Sequence, residues 1–219
     1  SSYAPVVHPI RGCPYGCSYC HNHAARELYR GLGKYVRYFS VERVIQEVEA
    51  ALTFFSGGPV VFSSDSFGLE LEWMERLFEA YTAKTDRAFF LLLHPTLITE
   101  KCVEILSRYR CCGVAIGVES GSERVREEVL NRYYSNELLL EVAQRLHGHG
   151  LKFRTYNMIG LPTETEDELW ETIDINVKMK ADFPRCAIYT SMPHTRLTEF
   201  AQEKGLLDEI GRASCRERG

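Results

Sequence analysis

"KFRTYNMIGLPTETEDELWETIDINVKMK", Lys152 to Lys180, reads as one complete strand–turn–helix unit. Its opening "KFRTYNMI" is strand-like and "GLPTET" turns the chain. Thr165, with Glu168 three residues on, then makes a capping box at the start of an amphipathic helix. The unit recurs in both directions along the chain. "APVVHPI" reads as a first strand, followed by a cysteine-bearing loop and a helix from about Ser40 to Phe55, which Gly57 and Gly58 end. "PVVF" precedes a helix over Glu70 to Thr82, and "AFFLLL" one starting near Thr99. "GVAIGVES" precedes helical stretches after Ser122 and Ser135, and "CAIYTS" a short helix closed by Gly205. Six strand–helix units result. Apolar strands separated by helices predict an α/β fold whose parallel sheet is buried on both faces. The sheet is either wound into a barrel or doubly wound and open, and periodicity does not choose between them. In both, the loops after the C-terminal strand ends carry the chemistry. The unusual residues collect there: the cysteines, then "SSDSF", "HPT", "ES", "GLPTET" and "MPHT".

At 219 residues, 45% of them hydrophobic and 26% charged, the chain can bury the core of one domain. No apolar run approaches the roughly 20 residues of a membrane span and no charged-then-apolar leader opens the chain, so the reading is a cytoplasmic protein without a membrane partner. The first residue is Ser1, and "IGRASCRERG", Ile210 to Gly219, fits no helix or strand pattern and resembles a translated sequencing adapter. The expectation is therefore a fragment of a longer protein, with one core domain over 1–209 and a non-native tail over 210–219. The formal charge is −4, and setting aside Arg212, Arg216, Arg218 and Glu217 leaves −6, a balance that argues against a broad nucleic-acid footprint.

Of the eight cysteines, Cys215 lies in the tail, and the odd number that remains argues against a disulfide framework. Cys102, Cys111, Cys112 and Cys186 read as small buried hydrophobes. Cys13, Cys17 and Cys20 differ, because "RGCPYGCSYC", Arg11 to Cys20, puts three thiols on one short loop. Structural zinc wants four closed ligands, and here only His21 or His23 could complete the set. A cubane iron–sulfur cluster has four irons, so three cysteines leave one iron open to a ligand.

CxxxCxxC with Tyr19 before the third cysteine closely resembles the signature of the radical S-adenosylmethionine (SAM) superfamily. The likeness extends over nearly all of Ala4 to Leu207, through "YCHN", "YRGLGKYVRYFSVERVIQEV", "GVESGSERV" and "MIGLPTETEDELWETI". It implies a partial (β/α)6 TIM-like barrel of parallel strands with outer helices, holding a [4Fe-4S] cluster and SAM. It also implies an enzyme that cleaves SAM reductively to a 5′-deoxyadenosyl radical, which abstracts hydrogen from substrate. The branch most resembled is that of the cobalamin-binding-domain-associated members. This implies cobalamin-dependent methyl transfer or rearrangement, with cobalamin held upstream of Ser1. The alternatives are an RNA-modifying, methylthiotransferase-like enzyme, or a non-catalytic zinc or iron–sulfur module, which accounts for the cysteines but not for "GVES" or "MIGLP". Expected partners are a small-molecule or peptide substrate and an electron donor such as flavodoxin or ferredoxin.

Carried over residue by residue, the resemblance makes Cys13, Cys17 and Cys20 the cluster ligands and places Tyr19 beside the adenine. Glu119, with Ser120 next to it, would accept from the ribose hydroxyls, and Arg132 would pair with the methionyl carboxylate. Ile159, Gly160, Leu161 and Pro162 would give backbone contacts to the adenine. Asp65 lies where relatives often carry paired aspartates, but Ser64 stands at the first position. In "MPHT", relatives usually have Gly where His194 stands, and His194 reads as a surface residue. Arg30, Lys34 and Arg37, interleaved with Tyr29, Tyr35 and Tyr38, read as a loop covering the cluster.

Overall fold

The computed structural model describes residues 4–64 and 66–207. Asp65 and the adapter-like tail lie outside the described residues. Along the chain run β1 (Val6–Val7), β2 (Ile10–Arg11), α1 (Asn22–Leu28), β3 (Arg37–Tyr38), α2 (Val41–Phe54), β4 (Val60–Phe62), α3 (Leu71–Lys84) and β5 (Phe89–Leu93). Then come α4 (Glu100–Arg108), β6 (Cys111–Glu119), a π-helical turn over Val125–Val129, α5 (Asn136–Gly148), β7 (Phe153–Ile159), α6 (Glu166–Lys178), β8 (Phe183–Ile188) and α7 (Arg196–Glu203).

Six parallel strands form the main sheet in the order β1, β4, β5, β6, β7, β8. Their order in space follows their order in sequence with no reversal, so the sheet is singly wound like a barrel wall. A doubly wound sheet would reverse direction at a switch point. The α/β, TIM-like reading therefore holds. Helix starts follow the side-chain caps. Ser40, Thr99, Ser135, Thr165 and Thr195 each accept a hydrogen bond from the amide three residues on, and Thr165 and Glu168 make the full capping box.

The predicted first strand splits in two. Pro9 has no N–H for the parallel ladder, so the chain leaves the main sheet after Val7. Ile10 and Arg11 instead pair antiparallel with Tyr38 and Arg37. This antiparallel pair, and α1 in the connection between its strands, go beyond the sequence reading. After Ser122 the expected helix is a π turn.

Burial on both faces holds only in part. The side of the sheet under the helices carries the core: Phe62, Phe89, Leu91, Val114, Ile116 and Phe153 are each at most 0% exposed, and Phe78 of α3 stacks on Phe89 at 4.1 Å. The alternate residues, such as Phe90, Leu92, Arg154 and Tyr156, are only half-buried. All six residues of β8, at the sheet edge, are exposed. This edge corrects the reading of Cys186, which is exposed. Cys112 is exposed too, because it is the extra residue where the β5–β6 register shifts between Cys111 and Gly113. Cys102 is buried as expected, and burial pushes its thiol up to about 12. Cys111 is half-buried.

Candidate active site

The cysteine loop leaves β2 through Gly12, whose φ of +81° suits glycine and whose absent Cβ would overlap the Tyr35 carbonyl. Three parts of the fold tie the loop down. Ser66 donates its hydroxyl to the Gly12 carbonyl at 2.8 Å. Asn131, itself at φ +55°, donates its amide to the Gly16 carbonyl at 2.7 Å. The Ser18 amide donates to the Leu130 carbonyl at 3.0 Å, and the Ser18 carbonyl accepts from the Leu197 amide of α7 at 2.9 Å. The basic and aromatic loop packs on the same turn, with the Tyr35 hydroxyl donating to Asn22 Oδ1 at 2.8 Å.

Cys13, Cys17 and Cys20 line one cavity of about 230 Å³ at the C-terminal ends of the strands, and Tyr19, Glu119 and Arg132 line it with them. Glu119 ends β6 at φ +66°, next to a register shift against β7, and its carboxylate lies over Gly117, where a Cβ would overlap Oε1. The Tyr19 hydroxyl donates to Glu119 Oε1 at 2.9 Å and accepts from Arg132 Nη1 at 2.9 Å. Arg132 and Glu119 are 3.8 Å apart. Burial pushes the Glu119 carboxyl up, against the opposing pull of Arg132 and the Tyr19 hydroxyl. Burial and the neighbouring Glu119 also raise Tyr19 well above the phenol range, so it remains a donor. Arg132 is buried rather than a solvated helix-end residue.

Two expected elements of the site stand apart from this cavity. The Ser120 hydroxyl turns toward α6, where it accepts from the Ser122 amide at 3.2 Å and lies 3.4 Å from the Thr172 hydroxyl. In the turn from Ile159 to Pro162, the Gly160 and Leu161 amides both donate to Glu164 Oε2, at 2.7 and 3.2 Å, and the Ile159 carbonyl accepts from Tyr189. His194 is exposed, at φ +60°.

The cavity also gathers residues to which no role was given. His94, at the end of β5, stacks on Tyr15 of the cysteine loop at 3.8 Å, and its Nδ1 accepts from the Thr96 amide at 3.3 Å. Burial, helped by the Arg132 charge, pushes His94 down to about 3, so the ring is neutral. Its place in "HPT" at a strand end was the available signal. Asn22, two residues past the last cysteine, was missed as well.

The surroundings of the thiols suit cluster ligands. His21, a possible fourth zinc ligand, is bonded through Nε2 to the Pro193 carbonyl at 3.0 Å. Donors point at the sulfurs instead. The Asn22 amide and side-chain nitrogens lie 3.5 and 3.6 Å from Cys20 Sγ, and Arg132 Nη1 lies 3.5 Å from Cys17 Sγ. Such donors stabilise cluster thiolates.

The family model of the radical SAM superfamily matches residues 7–175. The chain belongs to the radical SAM superfamily. That family uses a [4Fe-4S] cluster and SAM. The chain is 27% identical over 203 residues to an uncharacterized methyltransferase of Pyrococcus horikoshii, covering 92% of this chain and 43% of the relative. It is 25% identical over 206 residues to a tRNA-2-methylthio-N(6)-dimethylallyladenosine synthase of Syntrophomonas wolfei, covering 90% and 45%. It thus spans less than half the length of these relatives. Among solved structures, the radical SAM methyltransferase TsrM from Kitasatospora setae, with cobalamin and a [4Fe-4S] cluster bound, shares the fold at a TM-score of 0.77 and 17% identity, over 94% of this chain and 38% of that one. Among the described residues of this radical SAM core, no helix is long and apolar enough to cross a membrane.

Proposed function

We propose that this chain is the catalytic core of a radical SAM enzyme acting in cobalamin-dependent methyl transfer or rearrangement. The observation that carries the reading is the single cavity at the strand ends that gathers Cys13, Cys17, Cys20, Glu119 and Arg132. When bound, a [4Fe-4S] cluster and SAM supply a 5′-deoxyadenosyl radical for hydrogen abstraction. Cys13, Cys17 and Cys20 would hold the cluster, and Glu119 offers a buried acceptor where ribose hydroxyls are expected. Tyr19 holds that carboxylate in place, while the Tyr15–His94 stack walls the cavity against water. The likeness of the fold to TsrM supports the cobalamin assignment, and the sequence likeness to methylthiotransferases supports the second reading, an RNA-modifying enzyme. In either case a flavodoxin or ferredoxin as electron donor and a cytoplasmic setting complete the proposal.

Anaerobic reconstitution tests it. Iron and sulfide should assemble on the wild type, be lost on replacing Cys13, Cys17 or Cys20 by Ala, and be retained on replacing Cys102, Cys111, Cys112 or Cys186. The reduced protein should release 5′-deoxyadenosine from SAM. Stoichiometric zinc without sulfide would end the proposal.

A further inference from the structure

Arg132 stands where the resemblance expects a partner for the methionyl carboxylate, yet most of its donors are taken up inside the protein. A guanidinium has five N–H groups. Here Nε donates to the Tyr134 hydroxyl at 2.9 Å and Nη2 to the Gly117 carbonyl at 2.8 Å. Nη1 donates to the Tyr19 hydroxyl at 2.9 Å and to Cys17 Sγ at 3.5 Å. The tyrosine that orients it is itself fixed, since its hydroxyl lies 2.9 and 3.1 Å from the Gly117 and Val118 carbonyls. The side chain is 6% exposed and its central carbon lies 5.2 Å from the Tyr134 ring centre, so the charge is anchored to β6 and poorly screened.

We propose that Arg132 is a positioning residue for the iron–sulfur cluster, whose guanidinium donates to the Cys17 sulfur and so raises the potential at which the cluster accepts an electron. The inference rests on the proposed cluster. One-electron reduction, by an external low-potential donor, adds one negative charge to the cluster and makes or breaks no bond in the protein. A fixed cation one hydrogen bond from a ligating thiolate stabilises the reduced state more than the oxidised one. Cys20 accepts from the neutral donors of Asn22, so of these two sulfurs it is Cys17 that faces the charged donor. The same nitrogen serves Tyr19 and, through it, Glu119. Arg132 therefore joins the cluster corner to the expected ribose end of the cavity without using its last N–H.

The test is a redox titration of the anaerobically reconstituted protein, followed by electron paramagnetic resonance without SAM. Arg132→Gln should lower the ratio of reduced to oxidised cluster at a fixed ambient potential about tenfold, which for a one-electron couple is about 59 mV. Arg132→Lys, which restores the charge, should recover part of the shift. Asn22→Ala should move the potential the same way by less. An unchanged potential in Arg132→Gln, or a larger shift in Asn22→Ala, would overturn the inference and leave Arg132 as a cofactor ligand alone. Removing a buried arginine strands its acceptors and can prevent folding, so a second measurement uses the wild type labelled with 15N-arginine. Pulsed resonance on its reduced cluster should show a 15N coupling, and absence of that coupling also overturns the inference. Failure of the wild type to assemble iron and sulfide overturns the cluster reading itself, a different result from a cluster of unchanged potential.

Discussion

Glu168→Gln should weaken the fold in a pH-dependent way. Glu168 is buried on α6 and accepts from Arg124 Nε and Nη2, both at 2.7 Å, from the Ser122 hydroxyl at 2.9 Å and from the Thr165 amide at 2.9 Å. The paired Arg124 fork, ahead of the smaller hydroxyl and amide contributions, pulls its carboxyl down from 4.5 to about 2. A depression of that size corresponds to at most about 3 kcal/mol, and because Arg124 is 39% exposed, solvent screening reduces the expectation to about 1–2 kcal/mol. The folded pKa lies below the unfolded one, so this stability is fully present above about 4.5 and is lost as pH falls toward 2. Urea unfolding of the apo protein, followed by circular dichroism, should place the variant about 1–2 kcal/mol below wild type at pH 7. The two should converge near pH 2. Other carboxylates titrate in both proteins and cancel in the difference. A gap that is the same at both pH values, or no gap at pH 7, would refute the charge-clamp argument.

Gly121→Ala should destabilise the fold by about 1–3 kcal/mol, because its Cβ would overlap the Glu171 carbonyl, and thermal unfolding checks this. His194→Gly should raise the unfolding midpoint by about 0.5–1 kcal/mol equivalent, since an exposed residue at φ +60° would take glycine without strain. Glu119→Ala, once shown to be folded and cluster-loaded, should weaken SAM binding by about 1–3 kcal/mol in calorimetric titration, and unchanged affinity would move the ribose site elsewhere.

The six units were legible because each carries its own punctuation: Ser40, Thr99, Ser135 and Thr165 start helices through contacts three residues away, which sequence displays directly. What stayed hidden depends on register or on distant partners. The helical pattern over Val125–Val129, two valines flanking Arg126, Glu127 and Glu128, does not separate an α turn from a π turn. Pro9 breaks "APVVHPI" only once Ile10 has Tyr38 to pair with. Cys112 looks like a buried strand residue until the β5–β6 bulge leaves it out of the strand register, and the burial of β8 depends on what lies beside it in space. The site divides in the same way. The three cysteines share eight residues of chain, so their spacing is itself the signal.

The surroundings of the cysteines come from elsewhere in the fold. Arg132 meets Tyr19 across 113 positions and Cys17 across 115, while Ser18 meets Val129 across 111. All three contacts join the cysteine loop to the end of the π turn and the segment that follows it. Arg126, wholly buried in that turn, holds the segment by donating to the Ser120 carbonyl at 2.6 Å and to the Tyr134 carbonyl at 3.2 and 3.3 Å. The Ser120–Gly121–Ser122 turn is fixed in turn on α6 by Thr172 and Glu168. A disturbance at Glu168 therefore has a contiguous route through Ser122, Ser120 and Arg126 to Arg132, and from there to the Cys17 sulfur. Stability of α6 docking and order at the cysteine loop should accordingly fall together in Glu168→Gln, whereas a change at His194 leaves that route untouched.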